Sequence, residues 1–161
     1  MNATSSPHIV ILGGGYSGTL AAVNLVRLAP KPPRITIING HRPAGRGVAY
    51  GTRRMEHLLN VAARNMSAFP DQPDHFVNWL RTRAEYDLVP DYELRKRFIP
   101  RTIYGDYLKS LAHHHLSEVT HLKGEAVDVE RDGTVKLSGG QEVKADRIVL
   151  ATGNEAPADL P

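Results

Sequence analysis

Apolar runs and helically spaced apolar positions alternate over the first 39 residues. The segment 8–12 (HIVIL) is short, rich in β-branched residues and stopped by glycine, which is typical of a strand buried on both faces. Beyond that glycine turn the apolar positions take helical spacing from Leu20 to Leu28, and three prolines between 30 and 33 end the helix. The segment 34–38 (RITII) is again apolar. The pattern predicts strand, glycine turn, helix and strand.

The rest of the chain divides into an irregular middle and a β-rich last third. In the middle, the pattern predicts one helix starting at 71–74 and another over 102–115. Three short alternating segments follow, at 124–130, 134–138 and 141–145, joined by the hairpin-type pairs Asp132-Gly133 and Gly139-Gly140. They predict an antiparallel β-meander, and 147–151 is one more apolar strand. The fold class predicted is α/β, with a parallel sheet, helices and a meander, in a single domain over 1–161.

Composition narrows the possible chemistry. The chain has no cysteine, which excludes disulfides, thiolate metal sites and cysteine nucleophiles. Its formal net charge of +3 suits a small anionic ligand, and the excess is too small to argue for nucleic acid. The N-terminal apolar run is far shorter than a signal peptide or membrane segment. We expect a cytoplasmic protein whose partners are small molecules, with no membrane or nucleic-acid contact.

The motif Gly13-Gly14-Gly15-Tyr16-Ser17-Gly18 lies between the first strand and the first helix. In a GxGxxG turn of this kind, Gly13 permits the tight turn, Gly15 lets the backbone approach a pyrophosphate, and Gly18 allows the helix to pack closely on the strand. The pyrophosphate then lies at the helix N-terminus, where free N–H groups favour an anion. The strand–turn–helix–strand context favours dinucleotide binding over a glycine loop needed only for packing.

The same fingerprint predicts an acidic residue at the end of the second strand, where it would bind the adenosine ribose. Asn39 occupies this position. An amide still forms hydrogen bonds but lacks the charge-assisted strength of a carboxylate, and it repels a 2′-phosphate less. The alternative is that Asn39 only begins the Asn39-Gly40 turn.

The meander and the triplet that follows it carry a family resemblance. A β-meander leading into a strand that ends in Ala151-Thr152-Gly153 resembles the superfamily of flavoproteins with two dinucleotide-binding domains. A plain strand end is the alternative for this triplet. More narrowly, the blocks 45–52, 57–61, 65–71 and 101–108 are similar to a bacterial family described as FAD-NAD(P)-binding proteins.

The resemblance implies a Rossmann-like domain with FAD as cofactor and NAD(P)H as reductant. It implies the FAD pyrophosphate on Gly13 to Gly18, the ribose near Asn39, and the adenine against the first meander strand around Val127. Small residues at Ala151, Thr152 and Gly153 would let the chain pass close to the cofactor.

Several other residues are candidate cofactor contacts, and some of them have a structural alternative. Arg46 would reach the adenosine or pyrophosphate side, or be a solvated loop arginine. Asn60 and Met66 would approach the flavin ring. For Arg101 the alternative to a site role is a surface position at a helix start. For Tyr104 and Tyr107 the alternative is a place among the core aromatics. The run 113–115 (HHH) does not predict a metal site, because consecutive helical residues point about 100° apart.

The resulting expectation is the FAD-binding part of an NAD(P)H-linked, flavin-dependent oxidoreductase of unknown substrate and unknown catalytic residues. Disulfide reductase chemistry is excluded, because it needs a cysteine pair; monooxygenase and oxidase chemistry stay open. Superfamily members continue into an NAD(P) domain beyond the point that corresponds to Pro161. The chain is therefore expected to be the N-terminal part of a longer flavoprotein. The alternative is a non-catalytic nucleotide-binding or interaction module.

Overall fold

The computed structural model describes residues 6–40 and 44–154. Its elements are β1 His8–Leu12, α1 Tyr16–Leu28, β2 Arg34–Asn39, a 3-10 helix Ala63–Asn65, α2 His75–Arg81, α3 Asp91–Leu94, α4 Arg101–His115, β3 Thr120–Lys123, β4 Ala126–Val129, β5 Thr134–Leu137, β6 Glu142–Lys144 and β7 Arg147–Leu150. They form two compact units. The first comprises the chain up to Gly47 and from Leu111 onward, and the second is Val48–Ser110.

A four-stranded parallel sheet is the centre of the first unit. Its strand order is β3-β2-β1-β7, and every pairing is parallel. The strands β1 and β2 are almost wholly buried, which agrees with their continuous apolar sequences. All four strands end at the same edge, so the residues that follow them meet there.

The meander β4-β5-β6 is antiparallel and covers one face of this sheet. One apolar cluster joins the two layers and includes Val10 and Ile38 from the sheet and Val135 and Leu137 from the meander. Side chains alternate between the faces of a strand, so Ile11 points away from this cluster, toward α1. The sheet therefore lies between the meander and α1.

The second unit has an aromatic core. Phe76, Tyr104 and Tyr107 are completely buried and pack against one another with ring centroids 4.9–5.5 Å apart. The Tyr107 hydroxyl also lies 2.8 Å from His75 Nδ1. Asp74 precedes α2 but makes no side-chain bond to the helix end; its carboxylate instead accepts from Arg95 Nη1 at 2.7 Å and Nη2 at 2.8 Å. These bonds lower the pKa of Asp74 below its ordinary value.

The predicted fold class is confirmed: parallel sheet, flanking helix and antiparallel meander are all present. The structure adds β3, which the hydrophobic pattern did not indicate. This strand reads THLK, and only Leu122 is partly buried, because β3 is the edge strand of the sheet. None of the helices within residues 6–40 and 44–154 is both long enough and apolar enough to cross a membrane.

Candidate functional site

A cavity of about 730 Å³ opens at the carboxyl edge of the parallel sheet. Each of the four strands contributes its last residue or the segment just after it: Leu12 and Gly13, Asn39, Lys123, and Thr152. The other lining residues are Ile38, Gly40, Gly124, Glu125, Ala126 and Ser138. Open α/β sheets place their ligands at this edge. Three predicted site residues, Gly13, Asn39 and Thr152, are thus brought together.

Gly13 must be glycine for two reasons. Its φ of +106° is strained for other residues, and a Cβ atom there would lie 2.2 Å from the carbonyl oxygen of Ala151. The Ala151 N–H in turn donates to the Leu12 carbonyl at 2.8 Å. The glycine turn and the Ala151-Thr152-Gly153 triplet are therefore in direct contact.

Gly14 is held by three hydrogen bonds. Its N–H donates to Asn39 Oδ1 at 3.0 Å. Its carbonyl accepts from the Gly45 N–H at 2.7 Å and from the Thr19 hydroxyl at 3.1 Å. Asn39 thus has a contact that neither sequence interpretation included: it positions the glycine turn through Gly14 while also lining the cavity.

Gly15, Tyr16 and Ser17 form the start of α1. Gly15 is the N-cap residue of α1, and as a glycine it has no side chain that could bond to the helix end. No acidic residue occupies the first turn. The first N–H groups of a helix have no partner inside the helix and carry its positive dipole end. Tyr16 and Ser17 are exposed, whereas Gly18 is buried. This helix end is suited to an anion.

Arg46 and Val127 lie beside the site rather than in the cavity lining. Arg46 is half-buried in the loop after β2, between Gly45 and Gly47, and a Cβ atom on Gly15 would lie 3.4 Å from Gly47 Cα. Val127 is 61% exposed and lies at a register shift of β4, between Ala126 and Asp128. Its neighbour Ala126 is the residue of β4 that lines the cavity.

The last two residues of the Ala151-Thr152-Gly153 triplet are exposed. Thr152 lines the cavity, and Gly153 has a φ of +82°, with no neighbouring atom within 4 Å of the position that a Cβ atom would take. A positive φ of this kind is a backbone conformation that glycine adopts readily.

Sequence reasoning missed Lys123, Glu125 and Ser138. The Ser138 N–H donates to the Glu125 carbonyl at 2.9 Å, and this bond closes the meander side of the cavity. Lys123 is in register with Asn39 on the neighbouring strand. Lys123 could have been predicted if β3 had been recognised as a strand of the parallel sheet. The last residue of such a strand lies at the sheet edge where ligands bind.

The second unit decides between the interpretations of several residues. Tyr104 and Tyr107 are completely buried, so they are core aromatics. Arg101 begins α4, and its Nε donates to the Leu58 carbonyl at 3.0 Å, a structural contact. Asn60 is exposed and Met66 is half-buried; proximity to a flavin ring stays a prediction for both. Across the described parts of the chain, no group of three His, Asp or Glu side chains could hold a metal ion.

The cavity and the glycine turn fit an adenine dinucleotide. The volume lies in the range of about 300–1,000 Å³ usual for small-molecule sites. The lining combines apolar Leu12 and Ile38 with the polar groups of Asn39, Lys123 and Ser138. Beside it, the N-terminus of α1 supplies the positive end that a pyrophosphate requires.

Comparisons with known proteins agree with this fit. Among solved structures, the chain is similar to lysine monooxygenase NbtG from Nocardia farcinica, with a TM-score of 0.61 and 14% identity over 89% of this chain and 53% of that one. It is also similar to S-allyl-L-cysteine S-oxygenase from Allium sativum, with a TM-score of 0.60 and 23% identity over 97% of this chain and 39% of that one. At such identities the likeness shows the fold alone, and the chain spans 53% or less of either protein.

A search of curated protein sequences found no match. The family model of FAD-NAD(P)-binding proteins, by contrast, matches residues 10–155, which is nearly the whole chain and includes the glycine turn, the meander and the Ala151-Thr152-Gly153 triplet. The protein therefore belongs to the FAD-NAD(P)-binding family.

Proposed function

We propose that this chain is the FAD-binding part of a flavin-dependent oxidoreductase that uses NAD(P)H and acts on a small-molecule substrate. The single observation that carries the proposal is the cavity at the carboxyl edge of the sheet, which adjoins a helix N-terminus without acidic residues. The two oxygenases of similar fold support the reaction class. Because NAD(P)H is a metabolite of the cell interior, a cytoplasmic location accompanies the proposal, and cell fractionation tests it.

Each predicted site residue has a proposed task. Gly13 to Gly18 would hold the pyrophosphate through the N–H groups at the start of α1. Asn39 would bind the ribose and, through Gly14, keep the turn in its binding conformation. The main chain around Val127, where the register shift loosens strand pairing, would face the adenine. Arg46 would lie on the pyrophosphate side, and Ala151, Thr152 and Gly153 would line the path toward the flavin.

When bound, FAD would supply the redox chemistry through its isoalloxazine ring, while the protein supplies binding, orientation and electrostatics. Within this chain, the glycine turn and the sheet edge would orient the adenosine end. The residues that act on substrate stay unassigned, and the chain is proposed to be the N-terminal part of a longer flavoprotein.

The Gly15→Ala variant tests the proposal. The φ of Gly15 is −73°, and the added methyl would lie 3.4 Å from Gly47 Cα, so the folded state should accept it. In the dinucleotide fingerprint this glycine lets the backbone approach the pyrophosphate, and a side chain there should hinder that approach. We expect FAD affinity to fall by about tenfold or more, which corresponds to about 1.4 kcal/mol. Titration calorimetry, together with the visible spectrum of protein-bound flavin, measures this loss.

Gly139→Ala is the matched control. Gly139 lies in the turn between β5 and β6, and a Cβ atom there would have no neighbour within 4 Å. This variant should bind FAD as the unaltered chain does. A chain that takes up no FAD and gains no thermal stability from it would refute the proposal. Bound FAD that NADPH cannot reduce under anaerobic conditions would instead favour the non-catalytic nucleotide-binding module, or delivery of hydride by another part of the protein.

A further inference from the structure

The ribose end of the cavity has a charge pattern that the dinucleotide fingerprint does not predict. A carboxylate at the end of β2 would bind the two ribose hydroxyls and repel a phosphate. Here the residue is Asn39, whose amide carries no charge, and its Oδ1 accepts from the Gly14 N–H. The negative charge that would exclude a 2′-phosphate from this end is therefore absent at position 39.

A cation lies next to this amide. Lys123 ends β3, and its Cα is the register partner of the Asn39 Cα in the parallel pairing of β2 and β3. Neighbouring strands are about 4.8 Å apart, and register partners in a parallel pair point to the same face of the sheet. Both side chains line the same cavity, and the Gly124 N–H donates to the Asn39 carbonyl at 3.0 Å, which keeps the two strand ends together.

The ammonium group of Lys123 is available to a ligand. Lys123 is exposed, and it forms no ion pair or side-chain hydrogen bond within residues 6–40 and 44–154. Lys144, by contrast, contacts the Asp132 carboxylate at 2.5 Å. An unpaired lysine on a cavity wall attracts an anionic group of the ligand.

Glu125 supplies the carboxylate among the described residues that line the cavity. It lies two residues after Lys123, is exposed, and its side chain likewise has no partner in the described chain. Its charge opposes that of Lys123 for any phosphate nearby. Removing the charge of Lys123 should therefore weaken phosphate binding, and removing the charge of Glu125 should strengthen it. A general effect on folding would not change binding in opposite directions.

We propose that the Asn39–Lys123 end of the cavity accepts a 2′-phosphate on the adenosine ribose, so that the site binds NADP-type dinucleotides in competition with FAD. This inference rests on the proposed function, because it assumes that the adenosine half of a dinucleotide occupies the cavity. It goes beyond that function by naming the residues that read the 2′ position and the ligand class that they favour.

The experiment compares NADP⁺ with NAD⁺, which differ only in the 2′-phosphate, by titration calorimetry on the full chain and by displacement of bound FAD. We expect NADP⁺ to bind about tenfold more tightly than NAD⁺, the effect of one accessible charge-assisted contact. Lys123→Gln should bring the ratio close to one. Glu125→Gln should raise it, and raising the salt concentration should lower it in the unaltered chain.

Two further variants test the charge at position 39 and provide a control outside the cavity lining. Asn39→Asp retains an acceptor for the Gly14 N–H and introduces a carboxylate, so it should lower the ratio of NADP⁺ affinity to NAD⁺ affinity. Lys31→Gln removes a lysine from the turn between α1 and β2, outside the cavity lining, and should leave the ratio unchanged.

The outcomes separate this inference from the proposed function. Equal affinities for NADP⁺ and NAD⁺, or a ratio that Lys123→Gln does not alter, overturn the inference while FAD binding stands. NADP⁺ that binds without displacing FAD also overturns it, because the nucleotide then occupies another site. If FAD, NADP⁺ and NAD⁺ all fail to bind a folded chain, both the inference and the proposed function are wrong.

Discussion

At the residue scale, His8 is a buried polar residue whose ring is satisfied on both sides. It is 7% exposed at the start of β1. Its Nδ1 lies 2.7 Å from the Lys144 carbonyl, which can only accept, so Nδ1 carries a proton and donates. Its Nε2 lies 2.8 Å from the Thr36 hydroxyl. These bonds connect β1 to β2 and to the end of the meander.

Thr36→Val should therefore destabilise the protein. Valine has nearly the shape of threonine but leaves His8 Nε2 buried without a partner, which costs about 1–3 kcal/mol in the free energy of unfolding. Denaturant unfolding should show a lower midpoint at unchanged slope. Thr120→Val is the matched control, because Thr120 is the register partner of Thr36 on β3 and is exposed. Equal stability of the two variants would contradict this account of His8.

At the scale of elements, the packing of α1 on the sheet depends on one glycine. A Cβ atom on Gly18 would lie 1.8 Å from the Gly13 carbonyl oxygen and 3.2 Å from Ile11 Cγ2. The helix could accommodate it only by moving away from β1, which would disturb the turn that forms the candidate site.

Gly18→Ala should accordingly lower the free energy of unfolding by about 3 kcal/mol or more, or prevent folding. Alanine is the better helix former, so helix propensity alone predicts the opposite sign. Thermal and denaturant unfolding measure the difference, with Gly139→Ala as the control for a glycine that has open space around it. A stable Gly18→Ala chain would show that the close contact of α1 with the turn is not required.

At the scale of the whole molecule, acid stability should depend in part on the meander. Asp132 accepts from Lys144 Nζ at 2.5 Å and from the Thr134 N–H at 3.0 Å, and the pKa of Asp132 falls from 3.8 to about 2, mainly through the Lys144 bond. Because the folded pKa is below the unfolded one, the contribution is fully present above pH 3.8 and is lost as the pH falls toward 2.

Asp132→Asn should reduce this acid-dependent loss. Asparagine still accepts from the Thr134 N–H, so the turn is retained while the titrating charge is removed. Stability measured between pH 5 and pH 2 — about the span over which such carboxylates titrate — should fall less steeply in the variant. Glu118→Gln, an exposed carboxylate outside the meander, should keep the slope of the unaltered chain. Parallel slopes for Asp132→Asn and the unaltered chain would contradict the prediction.

Much of the fold was readable from local patterns. The buried strands β1 and β2 have continuous apolar sequences, and the Gly133 and Gly140 turns adopt positive φ as hairpin chemistry requires. The strand β3 was not readable, because an edge strand buries little and THLK has no hydrophobic period. Its pairing with β2 is a long-range contact that sequence periodicity does not encode.

The sequence by itself determined the strand–turn–helix start, the meander and the family, because these depend on local periodicity, glycine chemistry and motifs that are contiguous in the chain. Only the tertiary structure decided which distant residues share the site. It showed that Gly13 contacts Ala151, that Asn39 bonds to Gly14, and that Lys123 is the neighbour of Asn39. Each of these contacts joins residues about 25 to 140 positions apart, and parallel strand pairing brings their ends to one edge. The composition of the cavity, from which the preference for a 2′-phosphate is proposed, follows from that pairing.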